Sequence, residues 1–236
     1  MDCVDMPLTL KHIEKLIEDG RKGNCVFALN AEKFMALGKD PCLRQVYEDA
    51  ALLVPDGVGA TWGLRWQHRL TVERVSGADL MQRLCKLASE KGYKIFVYGA
   101  KEEVNKTAVE RLKVFYPNIR IVGRCNGYVA EDQMEGLVHE INKSKADILF
   151  VALGSPKQEE WIKQYVPGLN VKICQAVGGT LDVVAGQTRR APHLFQKLAL
   201  EWLYRLITDP KRIRRQAIYP LFLLRLFMQK RSPCSA

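Results

Sequence analysis

Six short apolar runs recur along the chain, at residues 25–29, 51–54, 94–98, 119–122, 148–153 and 171–177. Several are apolar almost throughout, as strands buried on both faces are. Longer stretches with helical spacing lie between them, for example 78–91, 101–115, 131–143 and 156–165. This alternation predicts an α/β fold: a Rossmann-like, mostly parallel sheet with helices on both faces. The pattern changes after Gly186. Phe195, Leu198, Ala199, Trp202, Leu203, Leu206 and Ile207 fall on one helical face, Asp209–Pro210 ends that helix, and a second runs from Lys211 until Pro220 breaks it. The expected organisation is therefore an α/β core over residues 1–187 and a helical C-terminal appendage over 188–236. No repeat, linker or low-complexity segment interrupts it.

Charge sharpens that division. The 236 residues carry a net charge of +10. From Arg189 to Arg231 there are eleven Lys or Arg, opposed only by Glu201 and Asp209, so the appendage carries +9 and the preceding residues about +1. A basic tail of this kind seeks phosphate, on nucleic acid, anionic lipid or a phosphorylated substrate. No apolar run approaches the roughly 20 residues that cross a bilayer, and the acidic first residues do not read as a secretory signal. The seven cysteines are scattered, which speaks against a disulfide framework or a zinc ribbon and for a reducing compartment. Most of them read as small buried hydrophobes.

The strand ends carry the punctuation: Pro55–Asp56–Gly57, Gly99–Ala100–Lys101, Gly154–Ser155–Pro156–Lys157 and Gly178–Gly179–Thr180. In an open α/β sheet, ligands bind outside the carboxyl ends of the strands, so these turns point to one crevice. Ser155 as N-cap with Pro156 at the first helical position is good helix-start chemistry. Exposed amides at that start, and at those after Gly99 and Gly178, suit a nucleotide-sized anion. Asp56 reads on spacing alone as a helix cap; at a crevice it would also suit removal of a proton from a hydroxyl. Arg74 precedes a helix that Ser76 is placed to cap, and would serve as a phosphate fork. P-loop, dinucleotide, HExxH and GxSxG signatures are absent. The four histidines are scattered and no aspartate pair is spaced to bridge a metal-nucleotide complex, so no metal is expected.

Taken together, Pro55–Asp56–Gly57, residues 74–80 (Arg-Val-Ser-Gly-Ala-Asp-Leu), residues 154–159 (Gly-Ser-Pro-Lys-Gln-Glu), residues 178–182 (Gly-Gly-Thr-Leu-Asp), residues 189–192 and residues 200–206 resemble the WecG/TagA/CpsF glycosyltransferases, in order and over nearly the whole chain. The resemblance implies a metal-independent, inverting hexosyltransferase without a cofactor. It would pass N-acetylmannosamine or a related sugar from UDP to a polyprenyl-diphosphate-linked GlcNAc, for teichoic acid, common antigen or exopolysaccharide synthesis. It implies Asp56 as base on the acceptor hydroxyl and Gln158 as a polar residue near the transferred sugar. Asn30 and Arg74 would line the donor pocket, with Gly99, Gly154 and Gly178 in its turns. Gly127, Tyr128 and Asp182 would face the uridine, and Arg205, Arg212 and Arg215 would hold the lipid diphosphate. The implied location is the inner face of the cytoplasmic membrane, engaged by the appendage, with homo-oligomerisation allowed.

Two positions depart from the family pattern. Ala28 stands where many relatives carry threonine, which removes a hydroxyl from the site and leaves a glucose-type or uronic-acid donor as an alternative. The leading strand ahead of residues 5–9 looks trimmed. The rival from another class is a nucleic-acid-binding module with a basic arm, which composition permits. The strand-end turns and the apolar stripe opposite the basic residues weigh against it, so no nucleic-acid partner is expected.

Overall fold

Alternate side chains of the central strands enter two separate apolar layers, which is why the apolar runs read as continuous. A computed structural model of the chain describes residues 2, 4–68, 72–188, 191, 192, 195, 204, 221, 222, 224 and 228. Its strands are β1 (Asn24–Leu29), β2 (Leu52–Pro55), β3 (Lys94–Gly99), β4 (Arg120–Cys125), β5 (Ile148–Ala152) and β6 (Ile173–Ala176). They form one six-stranded sheet in the order β2-β1-β6-β5-β3-β4, and every neighbouring pair is parallel. The fold is thus α/β and Rossmann-like, with all strands running one way.

The helices among the described residues are α1 (Met6–Glu18), α2 (Ala31–Leu37), α3 (Pro41–Glu48), α4 (Val58–His68), α5 (Gly77–Lys91), α6 (Glu102–Phe115), α7 (Met134–Ser144), α8 (Lys157–Tyr165) and α9 (Thr180–Val184). One layer joins Ile95, Val97, Ile148 and Phe150 of the sheet to Ile13 of α1, Leu84 of α5, Leu112 of α6 and Leu181 of α9. The other joins Phe96, Tyr98, Leu149 and Val151 to Tyr47 of α3, Leu137 of α7 and Trp161 of α8. The period of two along each strand produces this division.

Local chemistry sets the helix ends. The Asp5 carboxylate accepts from Leu8 N at 2.8 Å to cap α1, and that of Asp40 accepts from Leu43 N at 3.0 Å to cap α3, with proline in both first turns. Gly92, in the left-handed region, closes α5. Residues 5–9, ahead of which a strand looked trimmed, thus form the cap and first turn of α1. The expected start of α8 differs. Pro156 itself occupies the cap position, Ser155 lies in the turn before it, and the Ser155–Pro156 peptide is cis.

Both sheet edges are modified. Beside β2, Asp2 donates its backbone N–H to Leu53 O at 3.0 Å and accepts from Leu53 N through its carboxylate at 2.7 Å. On the other edge, the β3–β4 register shifts at Ile95/Phe96, so Val122 is an extra residue. A side chain at Gly123 would collide with the Phe96 ring.

Of the cysteines, Cys85 and Cys174 are buried, Cys25 and Cys125 half-buried, and Cys42 exposed; all five are free thiols. Burial pushes the Cys85 thiol up to about 12. Cys3 and Cys234 lie outside the described residues. The expected appendage is described at a few residues. The Phe195 and Tyr204 rings lie 5.5 Å apart, and Phe222 is buried against Ala31, Met35 and Phe34 of α2.

Asn105 ties the carboxyl ends of two strands together. This fully buried side chain on α6 donates from Nδ2 to the carbonyls of Gly99 and Cys125, each at 2.9 Å, and to that of Val97 at 3.4 Å. Replacing Asn105 by alanine leaves those acceptors without a donor in a dry site. We expect Asn105→Ala to lower stability by about 2–4 kcal/mol, measured by urea unfolding. A loss below about 0.5 kcal/mol would show that the amide is dispensable.

Candidate active site

All six strands deliver their carboxyl ends to one edge, and the residues singled out in the sequence stand along it in the order the sheet dictates. Asp56 follows β2 at one end of the row, then come Asn30 after β1, Gly178 after β6, Gly154 and Gln158 after β5, Gly99 as the last residue of β3, and Gly127 and Tyr128 after β4.

Asp56 is pinned through its backbone. Its N–H donates to Leu29 O at 3.0 Å, and the preceding carbonyl, Pro55 O, accepts from Val75 N at 2.9 Å. The carboxylate turns towards the start of α5, where Oδ2 accepts from Gly77 N at 3.4 Å and Oδ1 lies 3.5 Å from Arg74 Nε. Ser76, the cap residue of α5, makes no side-chain cap bond, so a carboxylate from another strand answers the first amide of that helix. The cap suggested by spacing therefore serves α5 by tertiary contact. Gly77 permits this approach: a Cβ there would stand 3.0 Å from the Ala28 Cβ. From below, buried Gln175 of β6 donates to Gly77 O at 3.0 Å. Asp56 and Arg74 are thus brought together, each about a quarter exposed or less.

A second group links three strand ends. Asn30 caps α2, its Oδ1 accepting from Lys33 N at 2.9 Å. The Lys33 ammonium reaches Glu159 Oε1 at 3.3 Å and lies 5.6 Å from the centre of the Tyr47 ring. The same carboxylate oxygen accepts from Tyr47 OH at 2.9 Å and from Gln158 Nε2 at 3.1 Å. Gln158 Oε1 in turn accepts from Gly178 N at 3.0 Å. Burial, followed by the Glu159 charge and the bond to it, pushes the Tyr47 hydroxyl well up, so it remains a donor. Gln158 is 1% exposed and Glu159 wholly buried.

The glycines act by close approach. Gly99, at φ +116°, has no room for a Cβ beside the Ala152 carbonyl, and a Cβ at Gly127 would lie 2.8 Å from Leu153 Cδ2. Ala100 N donates to Ala152 O and Gly127 N to Ala100 O, both at 2.8 Å, so the turns after β3 and β4 lie together beside β5. Gly154 takes φ +76°. At the start of α8, Gln158 N donates to Gly154 O at 2.9 Å and Glu159 N to Pro156 O at 3.0 Å. The Gly178 amide is likewise taken, by Gln158.

Tyr128 is 74% exposed, its own N–H donating to Asn126 Oδ1 at 2.9 Å. Asp182 lies on α9 beside Gly179. Tyr128 and Asp56 follow the two edge strands and are not brought together. Arg205, Arg212 and Arg215 lie outside the described residues. Among the described residues no group of three or more His, Cys, Asp or Glu stands where it could hold a metal ion, and no helix is long and apolar enough to cross a membrane.

Glu159, Lys33, Tyr47 and Gln175 are the site-supporting residues that sequence reasoning missed. One signal was present for Glu159: it stands beside Gln158 and three residues before Ile162, both buried on α8, so an acid occupies the inward face of a helix.

Comparison with known proteins agrees with this arrangement. The sequence is 34% identical over 234 residues to the N-acetylglucosaminyldiphosphoundecaprenol N-acetyl-beta-D-mannosaminyltransferase of Bacillus spizizenii, covering 98% of this chain and 90% of that relative. It is 32% identical over 223 residues to the protein of the same name from Bacillus subtilis (strain 168), covering 94% and 86%. The sequence model of the Glycosyl transferase WecG/TagA/CpsF family matches residues 1–235. A carboxylate and an arginine fixed at the carboxyl edge of a parallel sheet thus stand in a chain that, over almost its full length, belongs to the WecG/TagA/CpsF family of glycosyl transferases.

Proposed function

We propose that this glycosyltransferase moves N-acetylmannosamine from UDP to the GlcNAc of a polyprenyl-diphosphate-linked acceptor, with inversion and without a metal ion, in cell-surface polymer synthesis. The observation that carries the reading is the fixed Asp56–Arg74 pair at the carboxyl edge of β2, in a chain similar to proteins named for this transfer. Asp56 takes the proton of the acceptor hydroxyl. The oxygen forms its bond to the anomeric carbon on the face opposite the diphosphate, and the bond from that carbon to the diphosphate oxygen breaks, releasing UDP. A base held by backbone bonds on both sides keeps its geometry through this exchange.

Arg74 holds a cationic fork beside the reacting groups, and the basic residues of the tail, Arg205, Arg212 and Arg215, are the matching cations for a lipid diphosphate. The +9 carried after residue 188 brings the chain to the anionic inner face of the cytoplasmic membrane, where such an acceptor resides. Ala28 lies against the start of α5 rather than offering a hydroxyl there, so the donor is to be tested across UDP-sugars, with UDP-N-acetylmannosamine first.

The assay is UDP release with a polyprenyl-diphosphate-GlcNAc analogue, in the presence of a chelator. Acceptor-dependent release that survives chelation is expected. Release that chelator abolishes and a divalent ion restores would refute metal independence, and no release with any UDP-sugar of the panel would refute the function. Asp56→Asn should lower kcat by about 10²–10⁴-fold, the usual worth of a general base, while UDP still binds by calorimetry; near-normal turnover would remove Asp56 from the base role. Replacing Arg205, Arg212 and Arg215 together by alanine should weaken sedimentation with anionic liposomes, and undiminished sedimentation would exclude these arginines from the membrane contact.

A further inference from the structure

Glu159 is the one charged side chain among the described residues that is buried. An isolated buried carboxylate costs several kcal/mol, and its place on α8, facing the apolar layer, would take a leucine at no such cost. The acid therefore has to do something a leucine cannot. Its contacts show what that is. Oε1 takes three donors, Lys33 Nζ, Tyr47 OH and Gln158 Nε2, while Oε2 is buried with no hydrogen-bond partner. All the organisation is on the oxygen that faces Gln158.

A glutamine amide is nearly symmetric in shape and reads oppositely at its two ends. Here the two ends meet partners that tolerate one orientation only. A backbone N–H can only donate, so Oε1 faces Gly178. The Glu159 oxygen that already receives Lys33 Nζ and Tyr47 OH can only accept, so Nε2 faces it. The flipped amide would set two donors against each other at Gly178 and two acceptors against each other at Glu159. Lys33 and Tyr47 hold the carboxylate in place to enforce this, and the Asn30 cap holds the Lys33 backbone N–H. Gly178, at φ +52°, begins the turn that leads through Gly179 into α9.

We propose that Glu159 is a positioning residue: with Lys33 and Tyr47 it fixes the amide of Gln158 in one orientation, so that Gln158 holds the Gly178 N–H and sets the β6 turn in the shape that receives the donor. The words about the donor rest on the function proposed above; the orientation of Gln158 and the hold on Gly178 do not.

The test uses the full chain labelled with ¹⁵N-glycine, reading hydrogen exchange at Gly178. Glu159→Met removes the acceptor at similar size, and Gln158→Ala removes the amide. Each should speed exchange at Gly178 by about five- to tenfold, the worth of one such bond, while Gly92 and Gly123, far from the turn, keep their rates. Glu159→Gln keeps an acceptor oxygen without the charge and should fall between wild type and Glu159→Met. In the assay, Glu159→Met should lower kcat/KM for the UDP-sugar by a similar factor, and should lower it no further in a Gln158→Ala background.

Unchanged exchange at Gly178 in Glu159→Met overturns the proposal, as does exchange raised equally at all glycines, or additive losses in the double variant. If Glu159→Met does not fold, the order wild type, Glu159→Gln, Gln158→Ala decides the same question. A wild-type protein that transfers no sugar sinks the functional reading alone, because the exchange result still decides the part played by Glu159.

Discussion

Parallel strands buried on both faces leave the chain one edge at which to do chemistry. In this sheet no strand reverses, so each of the six must hand over to a helix at the same end, and the polar and flexible residues that make those turns are gathered there. The distribution of the candidate site residues follows from that constraint. Asp56, Asn30, Gln158, Gly178 and Gly127 are far apart in sequence and share only the property of coming just after a strand. The turns must also fit against one another, which is why glycine stands where the Gly99 and Gly127 backbones meet their neighbours.

The polar contacts beneath this edge are arranged to steady it. Asn105 spans the carbonyls at the ends of β3 and β4, Gln175 holds the first turn of α5 under Asp56, and Glu159 anchors the amide between β5 and β6. In each case a buried polar side chain, costly where it stands, reaches a backbone group or amide that belongs to the site. These residues mark where stability has been exchanged for placement.

The strands were legible because a doubly buried strand has no polar alternation to confuse it, and the runs at 94–98 and 148–153 fall on β3 and β5. Helices α5, α6 and α8 were legible from their spacing. The short helices α2 and α3 were not read, since seven or eight residues show too little of a 3.6-residue period, and their signal lay in the caps Asn30 and Asp40. The residues at the strand ends could be named from their turns and from the family pattern, but their partners could not. That Asp56 meets the start of α5 depends on a contact 21 residues away, and that Gln158 is joined through Glu159 to Lys33 and Tyr47 depends on packing between α2, α3 and α8. Exposed amides were expected at α8, and the Gln158 and Glu159 amides there meet carbonyls of their own turn, while Gln158 takes the Gly178 amide after β6.

The two outer strands have a consequence beyond the fold. An open sheet presents unpaired backbone groups along its margins, and another molecule can add a strand there. On the β2 side, Asp2 occupies both backbone groups of Leu53, and β2 itself is short and ends in proline. On the β4 side, the extra residue at Val122 interrupts the ladder, and the Arg124 guanidinium, 2.7 Å from Glu102, sets charge beside it. Blunted in this way, the two margins offer a second copy of the chain little continuous ladder on which to add a strand.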